Sequence, residues 1–125
     1  MIISSLSSKR IFSSESLFAK IINREIPADI VYEDDLCLAF KDVNPQAPLH
    51  ILVIPKKQIE KISDAGEDEQ DLLGHLFLKA GEIARNNGYG EAYRLIINNG
   101  EDAGQTVFHL HIHILAGRNF AWPPG

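Results

Sequence analysis

The spacing of apolar residues changes several times along the chain, and each change marks an element. Leu17, Phe18, Ile21 and Ile22 recur at helical spacing, which predicts a short helix capped by Ser14 or Ser16, running through about Asn23 and closed by Pro27. Ile30–Glu33 and Leu36–Asp42 read as paired strands joined by Asp34-Asp35. Two prolines make Val43–Pro48 a loop, because proline withholds a ladder donor. His50–Ile54 is a strongly apolar strand, stopped by Pro55 and the basic pair Lys56-Lys57. Beyond the acidic stretch Asp64–Asp71, the residues Leu72, Leu73, Leu76, Phe77, Ala80, Ile83 and Ala84 fall on a helical stripe. Acids before it and Arg85 near its end suit the helix dipole, and Asn87-Gly88 stops it. Tyr93–Asn98 is a further strand, 99–104 a polar, glycine-rich turn, and Thr106–Leu115 the last strand. Trp122-Pro123-Pro124-Gly125 cannot continue regular structure. The fold class is therefore α+β, a mainly antiparallel five-stranded sheet with two helices.

The totals narrow the class of function. A chain of 125 residues fits one domain. A net charge of −5 argues against nucleic-acid binding through the overall field, although local donors can still hold one phosphate. The single cysteine, Cys37, lies in an apolar run and reads as a buried, inert thiol that suits a reducing compartment. Bilayer spanning needs about 18 consecutive apolar residues, and nothing here approaches that, so no membrane partner is expected. Residues 1–13 are serine-rich and read as a disordered tail; a fragment of a transit peptide is the competing reading.

Three of the five histidines stand at 109, 111 and 113. On a strand, alternation puts all three imidazoles on one face and Leu110, Ile112 and Ile114 on the other. A sheet face that served folding alone would carry Val, Ile or Thr instead. Two chemistries compete for such a row. The first is a metal site, but three alternate residues spread over about 13 Å at ~3.4 Å per residue, and joining them on one ion needs a bend. A pair of these histidines with His50 or His75 as a distant third ligand is the easier geometry. The second is covalent catalysis. A neutral imidazole attacks phosphorus with its own lone pair, and flanking imidazoles donate to the phosphate oxygens as charge builds. That chemistry needs no metal or organic cofactor.

The run His109-Leu110-His111-Ile112-His113-Ile114-Leu115 resembles the signature of the histidine triad (HIT) superfamily. The likeness extends from Leu17 to Gly125 through Phe18-Ala19-Lys20-Ile21-Ile22, Glu33-Asp34-Asp35, Pro45-Gln46-Ala47-Pro48, Val53-Ile54-Pro55-Lys56-Lys57, Gly104-Gln105-Thr106-Val107 and Trp122-Pro123-Pro124-Gly125. It looks most like the Hint branch, the purine nucleoside phosphoramidases. The resemblance implies a HIT domain over 14–125 and a homodimer whose two sheets join into one. It implies His111 as nucleophile, the His109 carbonyl fixing its tautomer, His113 on the phosphate and His50 behind the histidine network. Asn98 and the turn Gly104, Gln105, Thr106, Val107 would bind phosphate, with the Thr106 hydroxyl beside the leaving amine, where the branch often has serine. Asp42 would meet the ribose hydroxyls. The purine would sit among Phe18, Ile21, Phe40, Val43 and Leu52, with Trp122 shaping the leaving-group pocket across the dimer.

Read without the resemblance, several of these residues have plainer uses. Asp42 is as readily a strand-end cap as a ribose acceptor. Phe18 and Phe40 are core residues by default. Asn98-Asn99-Gly100 is first a turn. The expected activity is hydrolysis of purine nucleoside 5′-phosphoramidates, with aminoacyl adenylates as a second substrate class, in the cytoplasm. The alternatives are a dinucleoside polyphosphate hydrolase, a nucleotide-binding interaction module and a metalloprotein.

Overall fold

The computed structural model describes residues 16–125. The expected tail over 1–13, and Ser14 as a helix cap, lie outside the described residues. Among those described, the elements are α1 (Leu17–Ile22), β1 (Ile30–Glu33), β2 (Cys37–Lys41), β3 (Leu49–Pro55), α2 (Gln70–Asn86), β4 (Arg94–Ile96) and β5 (Ile112–Ala116). The strands form one antiparallel sheet in the order β1-β2-β3-β5-β4. This is the expected α+β architecture.

Ser16 caps α1 by accepting from the Ala19 N–H at 3.0 Å. The helix ends well before Pro27. Arg24 adopts a left-handed conformation at φ 61°, and the Glu25 N–H closes the turn on the Lys20 carbonyl at 2.8 Å. The larger helix α2 buries Leu76, Ala80, Ile83 and Ala84. That stripe packs on Cys37, Ala39, Ile51, Val53, Ile112 and Ile114, one whole face of the sheet. Burial pushes the Cys37 thiol up to about 12, which keeps it protonated and inert.

The opposite face has a smaller apolar cluster, in which Phe18 and Ile21 of α1 cover Leu38, Phe40, Leu52 and Ile54. Strand β3 is buried along its full length because it pairs on both edges and is covered on both faces. The register sets Leu52 opposite both Phe40 and His113, and Ile96 opposite His113 on the other side. His113 therefore stands in the middle of the face that α1 only partly covers.

The last strand was expected over Thr106–Leu115, yet ladder pairing begins only at Ile112. Val53 pairs with Ile112, and two residues further along β3, on the same edge, stands Pro55, which has no N–H to give and ends the strand. The Leu110 N–H turns instead to the Ile59 carbonyl at 2.7 Å. Strand β4 is likewise shorter than the expected Tyr93–Asn98. After β5 the chain reverses at Gly117, with φ 97°; a Cβ there would stand 2.8 Å from the Pro48 side chain, so only glycine fits.

Candidate active site

Although His113 alone of the three lies within β5, the expected alternation holds. Leu110, Ile112 and Ile114 all enter the core beneath α2, and the three imidazoles turn to the α1 side. His109 is fully buried, and its Nε2–H donates to the Pro55 carbonyl at 2.8 Å. Its Nδ1 has no hydrogen-bond partner among the described residues. The His111 Nδ1–H donates to the His109 carbonyl at 2.7 Å. A carbonyl can only accept, so the His111 proton sits on Nδ1 and Nε2 carries a lone pair. Phe18 stands edge-on to this ring with centroids 5.0 Å apart, and His113 lies on its other side, also at 5.0 Å.

His50, on β3, joins from behind. Its Nε2 is 2.9 Å from His113 Nδ1 and 3.3 Å from Asp42 Oδ2, and its Nδ1 accepts from the Gln46 N–H at 3.0 Å. Burial lowers the pKa of all four rings. His113 is pushed down to about 4, first by burial and then by the neighbouring His111 and His50. The Asp42 charge opposes the shift at His50, His111 and His113 but does not overcome it. The row is therefore neutral at pH 7, with its lone pairs available.

A cavity of about 360 Å³ opens against His111 and His113. That size is adequate for a nucleoside-sized ligand. Thr106 and Val107 border it beside the imidazoles, and Asp42 beside His113. Phe18, Ile21, Phe40, Val43 and Leu52 form its apolar part with Leu17, Ile26, Pro27 and Ala28, and Lys41 also borders it; sequence reasoning did not place these last five in the site. The stretch from Ile26 to Ala28 carries no sequence signal for a binding wall: Pro27 marks only the end of the helix, and the stretch has no period of its own. Asp42 is aimed by an Asx turn, its Oδ1 accepting from the Asn44 N–H at 2.8 Å.

Other expected site residues lie apart from the cavity. The Gln105 side chain is buried as a brace: its Nε2 donates to the Glu60 and Val107 carbonyls, and its Oε1 accepts from the Gly100 N–H. Those bonds hold the turn that carries Thr106 and Val107. Gly104 is left-handed at φ 100°, and a Cβ there would stand 3.6 Å from Asn98 Nδ2, so these two residues pack closely. Trp122 is 83% exposed and does not line the cavity of this chain. His75 is far from the triad in role: its Nε2 donates to Asp34 Oδ2 at 2.7 Å. Among the described residues, two sets of side chains offer three metal-ligand atoms each, Asp34, Cys37 and His75 in one and Asp42, His50 and His113 in the other. Lys56 and Lys57 pair with Glu33 and Glu69 respectively, as a solvated strand end would.

Residues 23–120 match the model of the HIT domain family. The chain belongs to the HIT family. Among its HIT relatives, an uncharacterised HIT-like protein of Synechocystis sp. is 64% identical over 113 residues, which are 90% of this chain and 99% of the relative. A HIT family hydrolase from Legionella pneumophila has a similar structure, with a TM-score of 0.86 at 47% identity, covering 88% of this chain and 99% of that one. A HIT family hydrolase from Clostridium thermocellum gives 0.82 at 44% identity, over 85% and 93% of the two chains. In the HIT chain described here, no helix among the described residues is long and apolar enough to cross a membrane.

Proposed function

We propose that this HIT protein hydrolyses purine nucleoside 5′-phosphoramidates through a nucleotide covalently held on His111. The observation that carries the reading is the 2.7 Å bond from His111 Nδ1–H to the His109 carbonyl, on a ring that borders the cavity. It leaves Nε2 bare, neutral and facing the space where a phosphate would sit. Similarity to structures named HIT family hydrolases supports the same reading.

The steps follow from these groups. His111 Nε2 attacks phosphorus, the P–N bond breaks, and the amine leaves with the electron pair and takes a proton from solvent through the Thr106 hydroxyl. His113 stabilises the phosphate oxygens as charge develops. Water then attacks the phosphorus of the intermediate and loses a proton to solvent. The Nε2–P bond breaks, and the nucleoside monophosphate leaves. Asp42 accepts from the ribose hydroxyls and the apolar wall holds the purine by contact.

Release of AMP from an AMP–amine conjugate tests this. Turnover at the level of the uncatalysed reaction would reject it, and preference for a dinucleoside polyphosphate would favour the sibling activity. The pH profile gives a second reading. His111 must be neutral to attack, and burial holds its pKa below the ordinary 6.5. The acid limb of kcat/KM, which reports the free enzyme, is expected below pH 6.5. A limb above that value contradicts a buried nucleophile.

We also propose a homodimer built on α2 and β4. Strand β4 is an edge strand with a free ladder, and Phe77 and Leu78 of α2 are exposed at 43% and 77%. Sedimentation equilibrium should give twice the chain mass of 13.9 kDa. A monomer at micromolar concentration contradicts it.

A further inference from the structure

We propose that the backbone N–H of Gln46, acting through His50, makes His113 a hydrogen-bond donor toward the substrate phosphate. This rests on the reading of His113 as a phosphate contact given above. The starting point is the 3.0 Å bond from the Gln46 N–H to His50 Nδ1. An amide N–H can only donate, so Nδ1 must present its lone pair. A neutral imidazole has one proton, which then sits on Nε2. His50 Nε2–H faces two acceptors, His113 Nδ1 at 2.9 Å and Asp42 Oδ2 at 3.3 Å, and the nearer takes it. His113 Nδ1 is thereby an acceptor, and the His113 proton is placed on Nε2, at the far side of the ring.

His111 is set the opposite way. Its Nδ1 meets a carbonyl, so its proton is on Nδ1 and its Nε2 is bare. Two neighbouring rings of one residue type, with centroids 5.0 Å apart, thus hold opposite tautomers. One has a lone pair for phosphorus, and the other a proton for an oxygen. A main-chain carbonyl sets the first and a main-chain amide sets the second. If His50 took its other tautomer, His113 would turn a lone pair toward phosphate oxygens and repel them.

The amide is itself held in place. The Gln46 side-chain Nε2 donates to the Asn44 carbonyl at 3.0 Å, and Arg118 Nε donates to the Gln46 carbonyl at 3.0 Å. The Arg118 guanidinium also stacks over Phe120 at 4.3 Å. Arg118 is therefore a positioning residue, acting on the site only through the loop. The same bond bears on the convergence of Asp42, His50 and His113. A cation on His50 Nε2 would move the proton to Nδ1, donor against donor with Gln46.

The tautomers are read directly from the two ring nitrogens of each histidine in a 15N-histidine NMR spectrum of the whole protein without substrate. The expected result is His50 and His113 protonated on Nε2 and His111 on Nδ1. Gln46→Pro removes the amide N–H together with the side chain, so His50 and His113 should lose their fixed tautomer, and Gln46→Ala, which removes the side chain alone, is its control. The kcat for an AMP–amine conjugate should then fall about tenfold to a hundredfold, the scale of one hydrogen bond to a charged group, with less change in KM. Gln46→Ala keeps the amide and should keep the tautomers. Arg118→Ala, at an exposed residue, should preserve the fold, lower kcat by a smaller factor and blur the His113 signals. A wild-type spectrum with His113 protonated on Nδ1 overturns the proposal, as does zinc that shifts His50 and His113 together at micromolar concentration. The expected tautomers without any turnover would uphold the Gln46 device and remove the phosphoramidase reading alone.

Discussion

Replacing His111 with alanine is expected to lower kcat for an AMP–amine conjugate by about 10⁴-fold or more, the scale seen when a covalent nucleophile is deleted. The magnitude follows from the route. With no imidazole at this position, water must attack phosphorus directly, and neither neighbour can take over. His109 is fully buried with its Nε2 bonded to the Pro55 carbonyl. His113 Nδ1 is occupied by His50. The fold should survive, since Leu110 and Ile112, not His111, anchor this segment in the main core. Near-wild-type circular dichroism beside lost turnover would separate chemistry from unfolding. In the wild type, acid quenching during turnover should trap a nucleotide on a histidine, and peptide mass spectrometry should place it at residue 111. A variant within tenfold of the wild-type rate, or an adduct on another residue, rejects the assignment.

The contrast between His111 and its neighbours shows which parts of the site could be read from sequence. The sidedness of the row could be, because alternation governs an extended chain whether or not it is paired in a ladder. The strand limits over 106–111 could not. They depend on Pro55, far away in sequence, arriving opposite the position where β5 needs an amide. Family likeness alone ties His50 to the network, since nothing local in Leu49-His50-Ile51 marks a contact with residue 113. The Gln46 amide gave no signal at all. Every residue but proline has that group, and only tertiary structure decides which one meets an imidazole. Gln105 shows the reverse case. It lies in a motif that likeness associates with phosphate, and its side chain is spent on three bonds that brace the turn. Phe18 and Phe40 read as core from their spacing, and they are core; the structure adds that the same side chains border the cavity.

Asp34 carries the second large effect, this time on stability. Sequence reading places it only in a strand-to-strand turn, whereas the structure makes it the hub between that turn and α2. Its Oδ1 accepts from the Leu36 and Cys37 N–H groups at 2.8 Å each. Its Oδ2 accepts from the Tyr32 hydroxyl and from His75 Nε2 at 2.7 Å each. Partial burial raises the pKa of this carboxyl, but the bonds from Tyr32, Leu36, His75 and Cys37 outweigh it and hold the group well below the ordinary 3.8. Asp34→Ala strands four donors, and at about 1 kcal/mol each, discounted because water reaches the Leu36 amide, the loss is about 3 kcal/mol. For a domain of this length that is a fall of about 10 °C in Tm. The sign with pH is fixed by linkage. The unfolded chain binds the proton more readily than the native one, so this contribution is complete above pH 3.8 and disappears as pH falls below it. The stability gap between wild type and Asp34→Asn, followed by urea unfolding, should therefore narrow on acidification below pH 4. A gap that stays constant down to pH 2 would mean that the bonds to Asp34 do not depend on its charge.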